Sequence, residues 1–412
     1  MTRTTVIVLV AVVVVIAVIT LLVIRRRRYI GALEARGWTF ESSPSLASVL
    51  DHQAPPFGLG FERSTDESIS GHTSGGVPFH VFFYTSGEGG PSFHDNVASL
   101  GLRRALPALF VNAEGPRKGV YLPTVDLPSS WQVRSEDPEY ARAVLSGPVA
   151  AAIESFAAAG GRIDLSIDGR HLVAVPAPGK PEELSAYLEA LAPVASAIDA
   201  ADLDRFAVPA PVPRFGFFGR PDWTLTDRDD TLIDRYGLTR AGSRHRTEHV
   251  VRSPNDGLPL EAFVHRWQTT RTVTSTDSQG KTQTRTVTDH HDETICAVRL
   301  PGPFPQLSVN GGWGGKRVRF ELEEFNDEFK VRTDQPKFAS DVFHPRTMEF
   351  LLATNPPGFE ISGSVMRFLV SEHDTVLIGR CADFAHELLA RVPSFVWDDL
   401  NIQPPRFRSR FS

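Results

Sequence analysis

Cysteine is nearly absent from these 412 residues. Only Cys296 and Cys381 occur, too few for a disulfide framework in a chain of this length, and both read as small buried hydrophobes. Lysine is almost as scarce, with Lys118, Lys180, Lys281, Lys316, Lys330 and Lys337 among 43 basic residues. A net charge of -6 offers no basic field to neutralise phosphates, which argues against a general nucleic-acid binder. Catalytic signatures are missing too. There is no G-x-S-x-G elbow. "NGGWGGKR" (Asn310 to Arg317) places Arg317 where a phosphate-binding loop needs a hydroxyl for Mg²⁺, and a strand rather than a helix is expected after it. "HELLA" (His386 to Ala390) opens like a zinc-protease helix but lacks the second histidine. No cofactor is expected.

What is present begins with a long apolar run, "TVIVLVAVVVVIAVITLLVI" (residues 5–24), free of charge, glycine and proline. It exceeds the roughly 7–15 residues of a signal-peptide core and matches the roughly 20 needed for a membrane-spanning helix. Arg25, Arg26, Arg27 and Arg28 follow it and outweigh Arg3 before it. By the positive-inside rule the N-terminus is expected outside and the remaining body in the cytoplasm, in a single-pass protein of the cell membrane. The tail "RFRSRFS" (406–412) alternates Arg406, Arg408 and Arg410 with phenylalanine and serine. Together with Arg25 to Arg28 these arginines are expected at an anionic membrane surface. The expected partners are the lipid bilayer and other membrane or cytoplasmic proteins, not nucleic acid.

The rest of the chain repeats itself. Residues 96–145 align without a gap on 294–343, at an offset of 198, with 12 identities in 50 positions. The clearest stretch is "WQVRSEDPEYARAVL" (Trp131 to Leu145) against "FKVRTDQPKFASDVF" (Phe329 to Phe343). "GVPFHVFFY" (Gly76 to Tyr84) echoes "GLPLEAFVH" (Gly257 to His265), and "IDLSIDGRHLVAV" (Ile163 to Val175) echoes "FEISGSVMRFLVS" (Phe359 to Ser371). The order of blocks is the same in both halves. The period is too long for a solenoid and fits two copies of a whole domain. The predicted organisation is a transmembrane helix (5–24), a first repeat (29–200), a proline-rich linker (201–221), a second repeat (222–400) and a basic, aromatic tail (401–412).

Within each copy the pattern predicts α+β, with a mainly antiparallel sheet covered by helices on one face. β-branched and aromatic runs mark the strands. "NVASLGL" and "LPALFV" read as successive strands parted at a proline, and "IDLSIDGRHLVAV" as a hairpin. Ser135 and Thr333 read as helix caps, Pro138 and Pro336 as first-turn residues. Tyr140, Ala141, Val144 and Leu145 then share one face, as do Phe338, Ala339, Val342 and Phe343. Arg134 and Arg332, conserved between the copies, are expected to form salt bridges to the following helix.

The copies differ most where the second inserts "QTTRTVTSTDSQGKTQTRTVTDHHDE" (268–293). Threonines flank the turn signal "DSQGK", which predicts a protruding hairpin. Its base holds the densest set of metal-capable side chains, Asp289, His290 and His291. Adjacent residues of a strand face opposite ways, so these three are weak candidates for a metal site. The second half, through "TSTDSQGKTQTRTV", "LPGPFPQLSV" and "FNDEFKVRTDQPKFASDVFHPRTMEFLL", resembles an uncharacterised family of bacterial membrane-anchored proteins that carry a domain of unknown function. The resemblance implies a hydrophobic span joined to such a domain and supplies no catalytic residues. The expected function is a membrane-anchored binding, scaffold or sensing module without catalysis. An envelope assembly factor and an enzyme with a dispersed site are the alternatives.

Overall fold

In "PFHVFFYTS" both faces of a strand are apolar: Phe79 and Val81 lie on one, Phe82 and Tyr84 on the other, and all four are buried. Such a strand has to be covered on both sides. A computed structural model shows how. It describes residues 3–115, 119–120, 122–127, 130–276, 282–312 and 315–405, with the backbone alone for 3–11, 276 and 283. Two units emerge, one of residues 1–87 with 91–218 and the other of residues 88–90 with 219–412.

The first unit runs α1 (Arg3–Glu34), β1 (Thr39–Glu41), β2 (Arg63–His72), β3 (Pro78–Ser86), β4 (Phe93–Asn112), β5 (Thr124–Val125), β6 (Gln132–Arg134), α2 (Pro138–Val144), α3 (Gly147–Ala158), β7 (Asp164–Ala174) and α4 (Pro181–Ala200). The strands form one antiparallel sheet in the order β1-β2-β3-β4-β6-β5, with β7 also paired to β4. One face carries Phe79, Val81 and Leu100 against the helices, among them Tyr140, Ile153 and Leu188. The other face carries Phe82, Tyr84, Val97 and Val173, covered by Val49 and Phe57 from the long β1–β2 connection.

The second unit runs β8 (Thr224–Arg228), α5 (Thr231–Arg235), β9 (Ser243–Ser253), β10 (Leu260–Thr276), β11 (Thr282–Val309), β12 (Lys316–Arg317), α6 (Glu323–Glu328), β13 (Val331–Thr333), α7 (Pro336–Val342), α8 (Pro345–Thr354), β14 (Phe359–Phe368), α9 (Thr375–Ala390) and α10 (Ser394–Asp399). Its sheet is also antiparallel and seven-stranded, ordered β8-β9-β10-β11-β13-β12 with β14 on β11. The pairings recur at the offset seen in sequence: Phe110 faces Arg134, and Ser308 faces Arg332.

Four expectations about local structure need correction. The two strands expected around Pro107 are one strand, β4, and Pro305 likewise lies inside β11. Register against β7 slips between Gly101 and Leu106, and against β14 between Arg299 and Phe304. A second slip follows in each strand, between Leu106 and Leu109 and between Phe304 and Leu307, and Pro107 and Pro305 lie inside it, where a ladder N–H is dispensable. The expected hairpin over 163–175 is the single strand β7, kinked at Gly169, whose φ of +58° suits glycine. The cap of α2 is Asp137, which accepts from the Glu139 and Tyr140 amides. Ser135 and Thr333 instead tie two chain segments together. The Thr333 hydroxyl donates to Gln306 O (2.7 Å) and accepts from Gln335 N (3.1 Å); Ser135 repeats this with Ala108 O and Asp137 N. Arg134 and Arg332 donate to the backbone carbonyls of Leu122 and Gly315, not to an acid of the next helix.

The hairpin over 268–293 is present, paired from Thr276↔Thr282 inward; its "DSQGK" turn (277–281) lies outside the described residues. The membrane expectations are corrected. Helix α1 runs on through Arg25 to Arg28, and Leu33 in its last turn is buried in the core of the first unit. Among the described residues no helix is long and apolar enough to cross a membrane. Single-pass anchoring, and the cytoplasmic placement of the body derived from it, are therefore not supported.

Replacing Thr333 by Val keeps the shape but leaves the Gln306 carbonyl and Gln335 amide without their hydroxyl partner. We expect a loss of about 1–3 kcal/mol, measured by urea unfolding. A change below about 0.5 kcal/mol would show that this tie is dispensable.

Candidate functional site

The expected metal candidates are not brought together. Asp289 pairs with Arg271 (2.7 Å), His290 lies against Gln268, and His291 meets the Thr269 hydroxyl (2.8 Å) and stacks on Trp267. Each is engaged by its cross-strand neighbour, as strand alternation requires. His386 is buried in α9, and both cysteines are buried and free. Arg26 reaches Glu67 (2.6 Å) and lies over the Phe40 ring, while Arg25, Arg27 and Arg28 are exposed. Arg406, Arg408 and Arg410 lie outside the described residues.

A cluster that sequence reading missed sits on the face of the first sheet opposite the helices. Strand register sets half of it. Ser99 of β4 lies opposite His80 of β3, and His171 of β7 lies opposite Gly101, two residues along from Ser99. The β1–β2 connection supplies the rest as a roof, "LDHQAPPFGLG" (Leu50 to Gly60). The roof folds back tightly at Gly58: at φ +66°, a Cβ there would stand 2.1 Å from the Gln53 carbonyl oxygen. It is fastened to the sheet by Asp168, whose Oδ2 accepts from the amides of Gln53 (2.7 Å) and Ala54 (2.8 Å). Arg63 holds its far end through the carbonyls of Leu59 and Gly60.

Four side chains then close a ring. His52 Nδ1 is 3.0 Å from Asp51 Oδ1, and His171 Nε2 is 2.8 Å from Asp51 Oδ2. On the other side His52 Nε2 and His171 Nδ1 both point at Ser99 Oγ, at 2.9 and 3.1 Å. The two imidazoles stack, with centroids 4.0 Å apart and planes 24° off parallel. His52 and Ser99 are buried; the Asp51 side chain is 34% exposed, so the ring opens to solvent on the carboxylate side. Asp51, His52 and His171 present ligand atoms that all lie within 4.8 Å of one another.

The electrostatics follow from burial and partners. Burial alone would raise the Asp51 carboxyl, but hydrogen bonds from His171 and His52 outweigh it and hold the group well below the ordinary carboxylate range. Burial pushes His52 down to about 4, against the pull of Asp51, and lowers His80 as well. Burial lifts Asp168 to about 7, opposed by the Ala54 and Gln53 amides. Asp51 is thus an anion and His52 a neutral imidazole at neutral pH. Serine, histidine and aspartate in contact suggest a nucleophile, yet Ser99 is 2% exposed and walled in by both imidazoles. The arrangement suits coordination better than attack on a substrate.

A second histidine cluster lies in the other unit. His245 Nδ1 meets His265 Nε2 at 3.0 Å, and His265 Nδ1 meets Glu293 Oε1 at 3.0 Å. This is a line, not a ring, and Arg240 also binds Glu293.

No protein-family model matches the chain. No curated protein matches it either. One solved structure that aligns is the mycobacterial trehalose monomycolate transport factor A, TtfA, at 14% identity over 46% of this chain and 97% of that one. The TM-score is 0.32, and a likeness at that level carries no argument.

The signal that locates the ring comes from strand register, since the sequence alignment of 163–175 on 359–371 sets His171 against Arg367 instead. Register aligns Ser99 with Ala297 and His171 with Val365, so each is polar in one half and apolar in the other, on a face that is otherwise core.

Asp168→Ala would orphan two amides of the buried roof, and we expect it to cost about 2–4 kcal/mol. Asp168→Asn keeps an acceptor oxygen and should recover most of that loss. Equal losses for the two substitutions in chemical denaturation would show that hydrogen bonding to the roof is not what Asp168 provides.

Proposed function

We propose that this protein is a binding or sensing module made of two copies of one ancestral unit, the first receiving a ligand at the Asp51 ring and the second serving as its structural counterpart. The observation that carries this reading is the contrast between equivalent positions. At the places of Ser99, His171 and Asp168 the second unit has Ala297, Val365 and Ser362. There, Ala297 joins Leu232, Leu238, Val250, Phe263 and Ile295 in an apolar cluster on which Val365 packs. At the place of His80 stands Glu261, bound to Arg235 (2.7 Å) and Arg252 (3.0 Å).

The same backbone therefore accepts an apolar filling. A buried polar ring costs desolvation that an apolar filling avoids, so its presence in the first unit points to a use other than folding. Binding fits that use better than turnover, because the serine is enclosed and the opening leads to a carboxylate flanked by two imidazoles.

The test is a thermal-unfolding panel of divalent cations, inorganic phosphate and small dicarboxylates. A ligand at about 100 times its Kd stabilises by about 2.7 kcal/mol. For a unit of this size that raises Tm by roughly 5–10 °C. We expect one class to do so in the wild-type chain and not in the double variant Ser99→Ala, His171→Val, which copies the second unit and should fold. If no class shifts Tm, or the double variant responds equally, the reading fails.

A further inference from the structure

The second unit carries an extension that the first lacks. In the first unit β3 and β4 part at Ser86↔Phe93, whereas β10 and β11 run on together to Thr276↔Thr282. β10 loses its other neighbour beyond Gln268, and β11 gains its own only at Cys296. Among the described residues the outer hairpin is therefore a two-stranded ribbon, about eight residues a strand and roughly 25 Å long. On one face Thr270, Thr272 and Thr274 lie opposite Thr288, Thr286 and Thr284, and all six are exposed. A two-stranded ribbon with no core beneath it is marginally stable in water, so it gains from a further strand.

The outer edge of β11 is open and regular. It reads "TQTRTVT" over 282–288, rich in β-branched residues and free of proline and glycine. Its pairing with β10 has no bulge. Such an edge lacks the prolines and bulges that keep other strands from adding to it. Charge then decides which strand fits. Arg285, Val287 and Asp289 share one face, with the valine midway. A second copy laid antiparallel about Val287 sets Arg285 of each chain on Asp289 of the other, Val287 on Val287 and Thr286 on Thr288. Asp289 then lies between Arg271 of its own chain (2.7 Å) and Arg285 of the second copy. A slip of two residues either way loses the charge pairs, and an in-register parallel pairing sets Arg285 on Arg285. The edge of β10 offers no such match, because Arg271 is its one charge over 269–276.

We infer that a second copy of this chain adds to the outer edge of β11, antiparallel and centred on Val287, giving a four-stranded ribbon across a twofold axis. This surface belongs to the second unit and is independent of the Asp51 ring. The contact is small, so the dimer forms and parts with concentration.

Sedimentation of the full chain between about 1 µM and 1 mM reads the association. The wild-type chain should pass from monomer to dimer in that range. Arg285→Asp sets carboxylate against carboxylate, and Asp289→Arg sets guanidinium against guanidinium. Each alone should weaken the dimer at least about 10-fold. An equimolar mixture of the two variants restores both opposite-charge pairs and should recover the association as a heterodimer. A readout on the wild-type chain depends on no variant: in residue-resolved amide exchange, the outward N–H groups within 284–290 should slow as the dimer forms, and those within 270–274 should stay fast. A chain that remains monomeric throughout the range overturns the pairing. So does a dimer that both variants leave intact, a mixture that fails to associate, or protection that appears on β10 instead. None of these outcomes bears on ligand binding at the Asp51 ring, which the thermal panel tests separately.

Discussion

Each sheet depends on one long strand that changes register partway. β4 pairs with β3, β6 and β7, and β11 with β10, β13 and β14. A regular strand this long would drift away from its neighbours as the sheet twists. The irregular stretch between Gly101 and Leu106, repeated between Arg299 and Phe304, absorbs that drift and keeps the partner strand paired on both sides of it. β7 has to bend at the same level, which it does at Gly169. Strict alternation would send Asp168 and His171, three residues apart, to opposite faces. The bend turns both toward the roof, one to hold its backbone and the other to meet its aspartate.

The two units show what this scaffold needs and what it only permits. Both keep a buried hydroxyl at the strand end, Ser135 and Thr333, bonded to equivalent carbonyls, and both keep an arginine that donates to the backbone of the preceding connection. These contacts satisfy polar groups that the fold itself buries. The Asp51 ring is different in kind, since the second unit fills the same place with hydrocarbon. A pair of its histidines, His245 and His265, instead meets further out along the sheet, where His265 stands at the place of Tyr84. One backbone thus carries polar clusters at two different positions, one in each unit.

Much of the architecture was legible in the sequence. The offset of 198, the α+β class, the antiparallel pairing and the threonine-rich hairpin all rest on periodicity and turn chemistry, which are local. The errors came where a local rule met a tertiary demand. Ser135 has the residue type of a cap, but the chain places it against Ala108 and lets Asp137 cap the helix. Proline normally ends a strand, but Pro107 lies inside a register slip that spares its missing N–H. The apolar run at the start met the length rule for a membrane span, yet among the described residues no helix is long and apolar enough to cross a membrane. "DHHDE" is dense in ligands along the chain, but strand alternation keeps them apart.

By itself the sequence determined which stretches are strands and helices, which faces are apolar, and that one pattern occurs twice, because each of these follows from spacing between near neighbours. It could not determine the ring. Asp51 and His52 stand in an irregular connection, Ser99 in the middle of a strand and His171 after a kink, separated by up to 120 residues. Each looks like an isolated polar residue until the register of β4 against β7 and the fastening of the roof by Asp168 bring them within hydrogen-bond distance. Only the tertiary structure decides that, because the four contacts exist only once the ring is closed and belong to none of its members alone.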